Sequence, residues 1–258
     1  MEVLDSCDWR AIADLWAELN EFGLSESEGA WVHFRQRVHQ MLDVDRGLTV
    51  VLEEVAEPVD NPLYRCLPLV TLHHGPEAEQ FNRLGHEWIF REPGYGNEPA
   101  IQYLAARHGQ ARTVSLRRSV DQRTFDGSTM RGYFDVLEVE DRLFSAFPVA
   151  NGLEINIGVD RVRGSRVFGL REQQMLHTIV QGILPLARAY VRSRGLMPGQ
   201  QELSAREQQV LSYLLGPLSE KEIADRLDLS TGYLHQVVVR IYRKLGVRSR
   251  PELMAQWL

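Results

Sequence analysis

Arg240, Arg243, Lys244, Arg248 and Arg250 fall within residues 229–251 of a 258-residue chain, and no Asp or Glu interrupts them. Such a run concentrates positive field and suits an anionic partner, phosphate above all. The formal net charge is −6, yet residues 196–258 hold eight basic against seven acidic residues, so the acidic excess lies in the preceding part. Other chemistry is poorly supplied. His73, His74, Glu77 and His86 are competent metal ligands, but adjacent strand residues point to opposite faces, so no metal site is expected there. Arg117, Arg118 and Asp121 read as a solvated charged turn. No GxSxG, HExxH, phosphate loop or Gly-rich dinucleotide fingerprint is present, so neither enzymatic activity nor a cofactor is expected. Cys7 and Cys66 are too few for a disulfide framework, and "MEVLDSCDWR" lacks the apolar core of a signal peptide. No stretch approaches the roughly 18 apolar residues a membrane span needs. A cytoplasmic protein without a membrane partner is expected.

The elements that must position these residues follow from periodicity. Ile12, Leu15, Trp16, Leu19 and Phe22 give residues 8–22 one apolar helical face. A second helix is expected over 25–42, with Ser25 and Glu28 in capping-box spacing and Trp31, Phe34, Val38 and Leu42 turned inward. Strands are expected at 47–55 and 64–74, the latter interrupted by Pro68. Helices at 76–90 and 98–108 flank the Gly/Pro-rich loop "REPGYGNEP", with a strand-like "RTVSLRRSV" and a helix at 121–132 beyond. Two alternating runs, 142–150 and 153–162, meet at Asn151-Gly152, a two-residue hairpin signal. A closing helix over 171–194 carries Pro185, which implies a kink or a break. The expected fold is an α+β N-terminal domain, an antiparallel sheet of five or six strands with flanking helices, over residues 1–195. A linker at 196–202 leads to an all-α four-helix domain at 203–258.

In that last domain the Ser-x-x-Glu capping box occurs three times, at Ser204/Glu207, Ser219/Glu222 and Ser249/Glu252, and Ser230 caps a further helix. On this further helix Leu234, Val237, Val238, Ile241 and Leu245 project inward at about 100° per residue, while Gly232, Gln236, Val239, Arg240 and Arg243 face outward. Gly246 ends it at a position suited to a left-handed cap. The stretches "LSAREQQVLSYLL", "SEKEIADRLDLS" and "RKLGVRSRPEL" resemble the LuxR-type (GerE-like) helix-turn-helix family over residues 203–253.

That resemblance implies a transcription regulator that binds double-stranded DNA through its third helix, with a last helix (250–258, Leu253 and Trp257 on its apolar side) forming a homodimer contact. Where the family commonly has Thr-Val-Lys-x-His, this chain has Tyr233-Leu234-His235-Gln236-Val237. Gln236 would then pair with adenine, Val239 meet a thymine methyl, and Arg240 or Arg243 take guanine or phosphate. Arg248 and Arg250 suit backbone phosphates, and Thr231, Tyr233, His235 and Lys244 complete the expected DNA-facing set. The alternative is a degenerate helix-turn-helix retained for dimerisation or another protein contact. Residues 1–195 look like a GAF/PAS-like sensor for an unidentified small-molecule or protein signal. The aromatics Trp88, Tyr103, Phe125, Tyr133 and Phe144 are the residues from which a ligand pocket would be built, with ordinary core as their other reading.

Overall fold

The structure is a computed structural model that describes residues 4–55, 63, 65–91 and 98–257, with the side chains of residues 86 and 88–91 outside the described set. The chain divides into two compact units, Met1–Trp16 with Arg35–Ile183, and Ala17–Phe34 with Leu184–Leu258.

The leading helices are α1 (Ser6–Asn20) and α2 (Ser27–Leu42). The turn before α2 is closed by Glu26, whose carboxylate accepts from the Gly23 amide at 2.8 Å. The expected Ser25/Glu28 box does not form, because Glu28 instead pairs with Arg194 at 2.6 Å.

In the first unit the chain continues through β1 (Arg46–Glu54), β2 (Cys66–His74), α3 (Ala78–Arg91), α4 (Pro99–Ala105), β3 (Arg112–Ser115), α5 (Gln122–Asp126), α6 (Thr129–Val136), β4 (Val139–Ala150), β5 (Leu153–Val162) and α7 (Leu170–Gly182). The sheet is antiparallel in the order β2-β1-β5-β4-β3. The β4–β5 hairpin turns at Asn151 and Gly152, and it forms the centre of the sheet. Pro68 is tolerated because β2 is an edge strand, and the β1–β2 register slips beside it. The single helix expected at 121–132 is two, since Asp121 caps α5 and Ser128 caps α6. Residues 92–97 of the Gly/Pro-rich loop lie outside the described residues.

The side-chain period of two gives the sheet two different faces. On one, Leu48, Val50 and Leu52 of β1 and Phe144 of β4 join a core with Phe81, Ile101, Leu104, Phe125, Met130, Tyr133 and Phe134 from α3–α6. Gly158 on β5 admits this packing, because a Cβ there would stand 2.1 Å from Leu48 Cδ2. Across the other face runs α7, where Gln173 donates to the Thr113 carbonyl at 2.6 Å and Trp16 donates to the Ile179 carbonyl at 3.1 Å.

In the second unit Pro185 marks a true break. α7 ends at Gly182, and α8 (Leu184–Arg192) begins after Ile183. Trp31 stacks on Tyr190 at 4.4 Å between centroids, with the Arg194 guanidinium 3.7 Å from the Tyr190 centroid. The segment expected as a linker is held: Leu203 donates to the Arg194 carbonyl at 2.8 Å, and Gln201 to that of Lys244 at 2.9 Å. Then come α9 (Ala205–Leu214), α10 (Glu220–Arg226), α11 (Thr231–Leu245) and α12 (Arg250–Ala255) around their own apolar core.

Candidate nucleic-acid interface and cavity

Ser230 starts α11 by accepting from the Tyr233 amide at 3.2 Å, and Gly246 ends it at φ +71, a left-handed conformation that costs glycine little. Between the caps, Leu234, Val237, Val238, Ile241 and Leu245 are buried in the helical core. The opposite side is exposed: Thr231, Tyr233, His235, Gln236, Val239 and Arg243, with Tyr233 44% and Val239 51% accessible.

The basic residues divide into two groups. Arg243 and Arg248 are exposed, and their guanidinium groups have no ion-pair partner among the described residues. Lys244 is engaged, donating to Glu207 Oε2 at 2.7 Å and to the Glu202 carbonyl at 2.9 Å. Arg240 Nε lies 3.7 Å from Glu207 Oε1 and is half-buried. Arg250 donates to the carbonyls of Leu214 (2.8 Å), Leu218 (2.6 Å) and Gly216 (2.5 Å), satisfying the C-terminal end of α9 and the turn after it. His235 Nδ1 is 3.1 Å from Glu220 Oε2.

Glu207 is the hub that sequence spacing revealed only as a cap. It accepts from the Ser204 amide at 2.8 Å and faces Lys244 and Arg240 on α11. Burial pushes its carboxyl up, but the Lys244 and Ser204 hydrogen bonds outweigh this and hold it below the usual range. Its pairing with Lys244 spans 37 residues, a separation that no local pattern announces. Leu253 and Trp257 turn into the unit's own core, so the apolar side of α12 is not available as the dimer surface expected from sequence.

The first unit holds a partly open cavity of about 70 Å³ against the α3–α6 face of the sheet. Tyr133 and Phe144 line it. Tyr103 is half-buried against the same core with the Arg107 guanidinium 3.9 Å from its centroid, and Phe125 is fully buried, edge-on to Phe134 at 5.5 Å. The side chain of Trp88 lies outside the described residues.

The cavity's polar groups come from the strands. Arg112 on β3 makes a two-pronged pair with Glu154 on β5 at 2.9 and 2.8 Å. Arg142 on β4 does the same with Asp160 on β5 at 2.6 and 2.8 Å, and its guanidinium lies 5.6 Å from the Tyr133 ring centroid. Asn156 sits between the two acids on the same face of β5 and is wholly buried. Each pair sets two charge-assisted hydrogen bonds against the cost of taking both charges out of water. Sequence reasoning missed this set; the signal that carries it is polar Glu154, Asn156 and Asp160 at even spacing on a buried strand.

The remaining candidate residues lie apart. His73 Nδ1 faces Asn82 Oδ1 at 3.3 Å, while His74 Nε2 faces Thr49 Oγ1 at 2.8 Å on the opposite side of the sheet. Arg117 pairs with Glu140, and Asp121 accepts from Thr124.

Residues 201–256 match the family model of bacterial regulatory proteins, luxR family (GerE). No curated protein matches the chain in sequence. Among solved structures, SdiA in complex with octanoyl-rac-glycerol is 13% identical, covering 99% of this chain and 96% of that one at a TM-score of 0.49. Escherichia coli SdiA is 14% identical over 98% of this chain and 96% of its own, with a TM-score of 0.45. The VqsR LBD domain from Pseudomonas aeruginosa is 14% identical over 73% of this chain and 98% of its own, with a TM-score of 0.46. Among the described residues no helix is long and apolar enough to cross a membrane. With its four capped helices in family order and the model match over the same span, residues 201–256 are a GerE-type helix-turn-helix domain of the LuxR family.

Proposed function

We propose that the chain is a cytoplasmic, homodimeric transcription regulator whose first unit senses a signal and whose helix-turn-helix domain binds double-stranded DNA. The observation that carries the reading is the exposed face of α11: Gln236, Val239 and Arg243 project from a helix locked at both ends and packed on its other side. In a major groove Gln236 pairs with adenine, Val239 meets a thymine methyl, and Arg243 takes guanine or phosphate. Thr231, Tyr233 and His235 at the N-terminal end of α11, Arg240 on its flank and Arg248 in the turn after it contact the backbone. Lys244 and Arg250 act indirectly, by holding α11 to α9 and the α9–α10 turn to α12.

The signal binds the first unit and alters whether two helix-turn-helix domains fit successive major grooves. Support comes from the cavity and its buried ion pairs, which a purely structural sheet does not require.

A second reading, a helix-turn-helix kept for protein contact, draws on the exposed Tyr233 and Val239 and on the basic side chains already occupied. Binding of full-length protein to duplex DNA, compared with Arg243→Ala, separates the two. A DNA reader loses affinity or sequence preference on that change, whereas a protein-contact helix shows neither to begin with.

A further inference from the structure

We propose that Glu220 is a positioning residue for DNA contact: it holds the His235 imidazole by Nδ1 while a backbone phosphate meets Nε2, so that binding of duplex DNA takes up a proton at His235. This rests on the DNA-binding reading above and adds to it a proton that the complex holds more tightly than the free protein does.

The geometry sets the role of each ring nitrogen. His235 on α11 places Nδ1 3.1 Å from Oε2 of Glu220, the first residue of α10. An ionised carboxylate only accepts, so Nδ1 is the N–H of the pair. Nε2 is the other nitrogen of a side chain that is 65% exposed, on the uncovered side of α11 with Gln236 and Val239. On a neutral ring protonated at Nδ1, Nε2 offers a lone pair and repels a phosphate oxygen; on the imidazolium it donates to one. A backbone contact through this side chain therefore needs the charged ring.

Charge decides when the ring takes its proton. Glu220 is the charged group paired with His235 among the described residues; the basic side chains further along α11, Arg240 and Lys244, turn to Glu207 on α9. Glu220 also acts on Tyr242, two turns beyond His235, whose phenol is pushed up by burial and by this carboxylate while Arg250 opposes. The Glu220–His235 pair is exposed, so water and salt screen the pull of one carboxylate on the ring. A phosphate at Nε2 adds a second anion, and the two together favour the imidazolium. By linkage, a tenfold tighter hold on the proton in the complex gives up to about a tenfold gain in DNA affinity as the pH falls. His235 is the only histidine in residues 196–258, and that segment has no cysteine. It is thus the side chain there whose ordinary titration falls between about pH 5 and 8.

The test measures affinity of the full-length protein for a mixed-sequence duplex at fixed low salt, since a phosphate contact is independent of sequence. From about pH 8 to about pH 6 the affinity of the native chain should rise at least about fivefold more than that of His235→Gln. His235→Lys, charged throughout this range, should bind at about pH 8 at least as tightly as the native chain and lose the excess pH dependence. Glu220→Gln keeps an oxygen for Nδ1–H but no charge, so the excess should shrink by about half or more. A purely structural Glu220 would instead lower affinity equally at both pH values. Calorimetry at about pH 7 in two buffers of different ionisation enthalpy should show proton uptake that His235→Gln lacks. Equal pH dependence or equal proton uptake in the native chain and His235→Gln overturns the proposal and leaves the DNA reading in place, as does an excess unchanged in Glu220→Gln. Absence of duplex binding at both pH values removes the DNA reading and this inference with it.

Discussion

At the residue scale, the proposed function divides the exposed face of α11 between base edges and phosphate. Gln236→Ala should cost about 1–3 kcal/mol on the preferred site and relax discrimination at one base position, as read by competition binding against single-base variants of that site. Arg243→Ala is expected to lower affinity and, if its contact is to phosphate, to reduce the slope of log affinity against log salt by about 1. His73 gives a pH prediction. Burial, with Arg142 nearby, pushes its imidazole down to about 4, so the folded protein holds it neutral at pH 7. Between about 4 and the unfolded value near 6.5 the unfolded chain binds more protons, so this stabilisation is full above 6.5 and is lost as pH falls toward 4. His39, lowered by burial and by Arg35, acts in the same direction. Denaturant midpoints should therefore fall from pH 7 to pH 5, and the fall should flatten in His73→Gln; an unchanged profile would remove this account of His73. Of these residues, those of α11 were legible from helical spacing alone. The cavity's polar set was not, because Arg112, Arg142 and Glu154 meet only once three strands are paired.

At the element scale, the helix-turn-helix is a set of caps and cross-braces. Gly246→Ala forces a side chain into a left-handed conformation at φ +71 and should destabilise by about 1 kcal/mol, visible in thermal unfolding. Arg250→Ala leaves the Leu214, Gly216 and Leu218 carbonyls without their donor and should cost about 2 kcal/mol, with DNA affinity falling only as far as folding does. If Arg250→Ala instead weakened DNA binding with no change in stability, its role as a brace would be wrong. The caps at Ser204, Ser219 and Ser230 could be read directly, since serine three residues before the amide it accepts from is a local pattern. The third box differs in detail, because Glu252 reaches back to the Arg248 amide at 2.8 Å rather than to Ser249. The hairpin at Asn151-Gly152 and the break at Pro185 were equally local, whereas the division of 121–132 into α5 and α6 turned on two adjacent caps within one apolar stretch.

At the scale of the whole molecule, an acidic chain carries five basic residues in the acid-free segment 229–251, and within that segment Lys244 and Arg250 are committed to structure. DNA affinity should accordingly be modest and strongly dependent on salt. The sheet and the four-helix domain were both legible from sequence, but the compact units are not simple consecutive stretches, because residues 17–34 cluster with 184–258 through contacts such as Trp31 on Tyr190. No periodicity within the leading helices signals that pairing, since both partners are ordinary apolar positions of their own helices. The most direct test of the central claim is selection of duplex sites from a random library by full-length protein at low salt, with Gln236→Ala and Arg243→Ala in parallel. A DNA-reading dimer returns an enriched motif with two symmetric half-sites that is blurred or lost in both variants. Failure of the folded protein to enrich any motif, or the same motif returned unchanged by both variants, would contradict it.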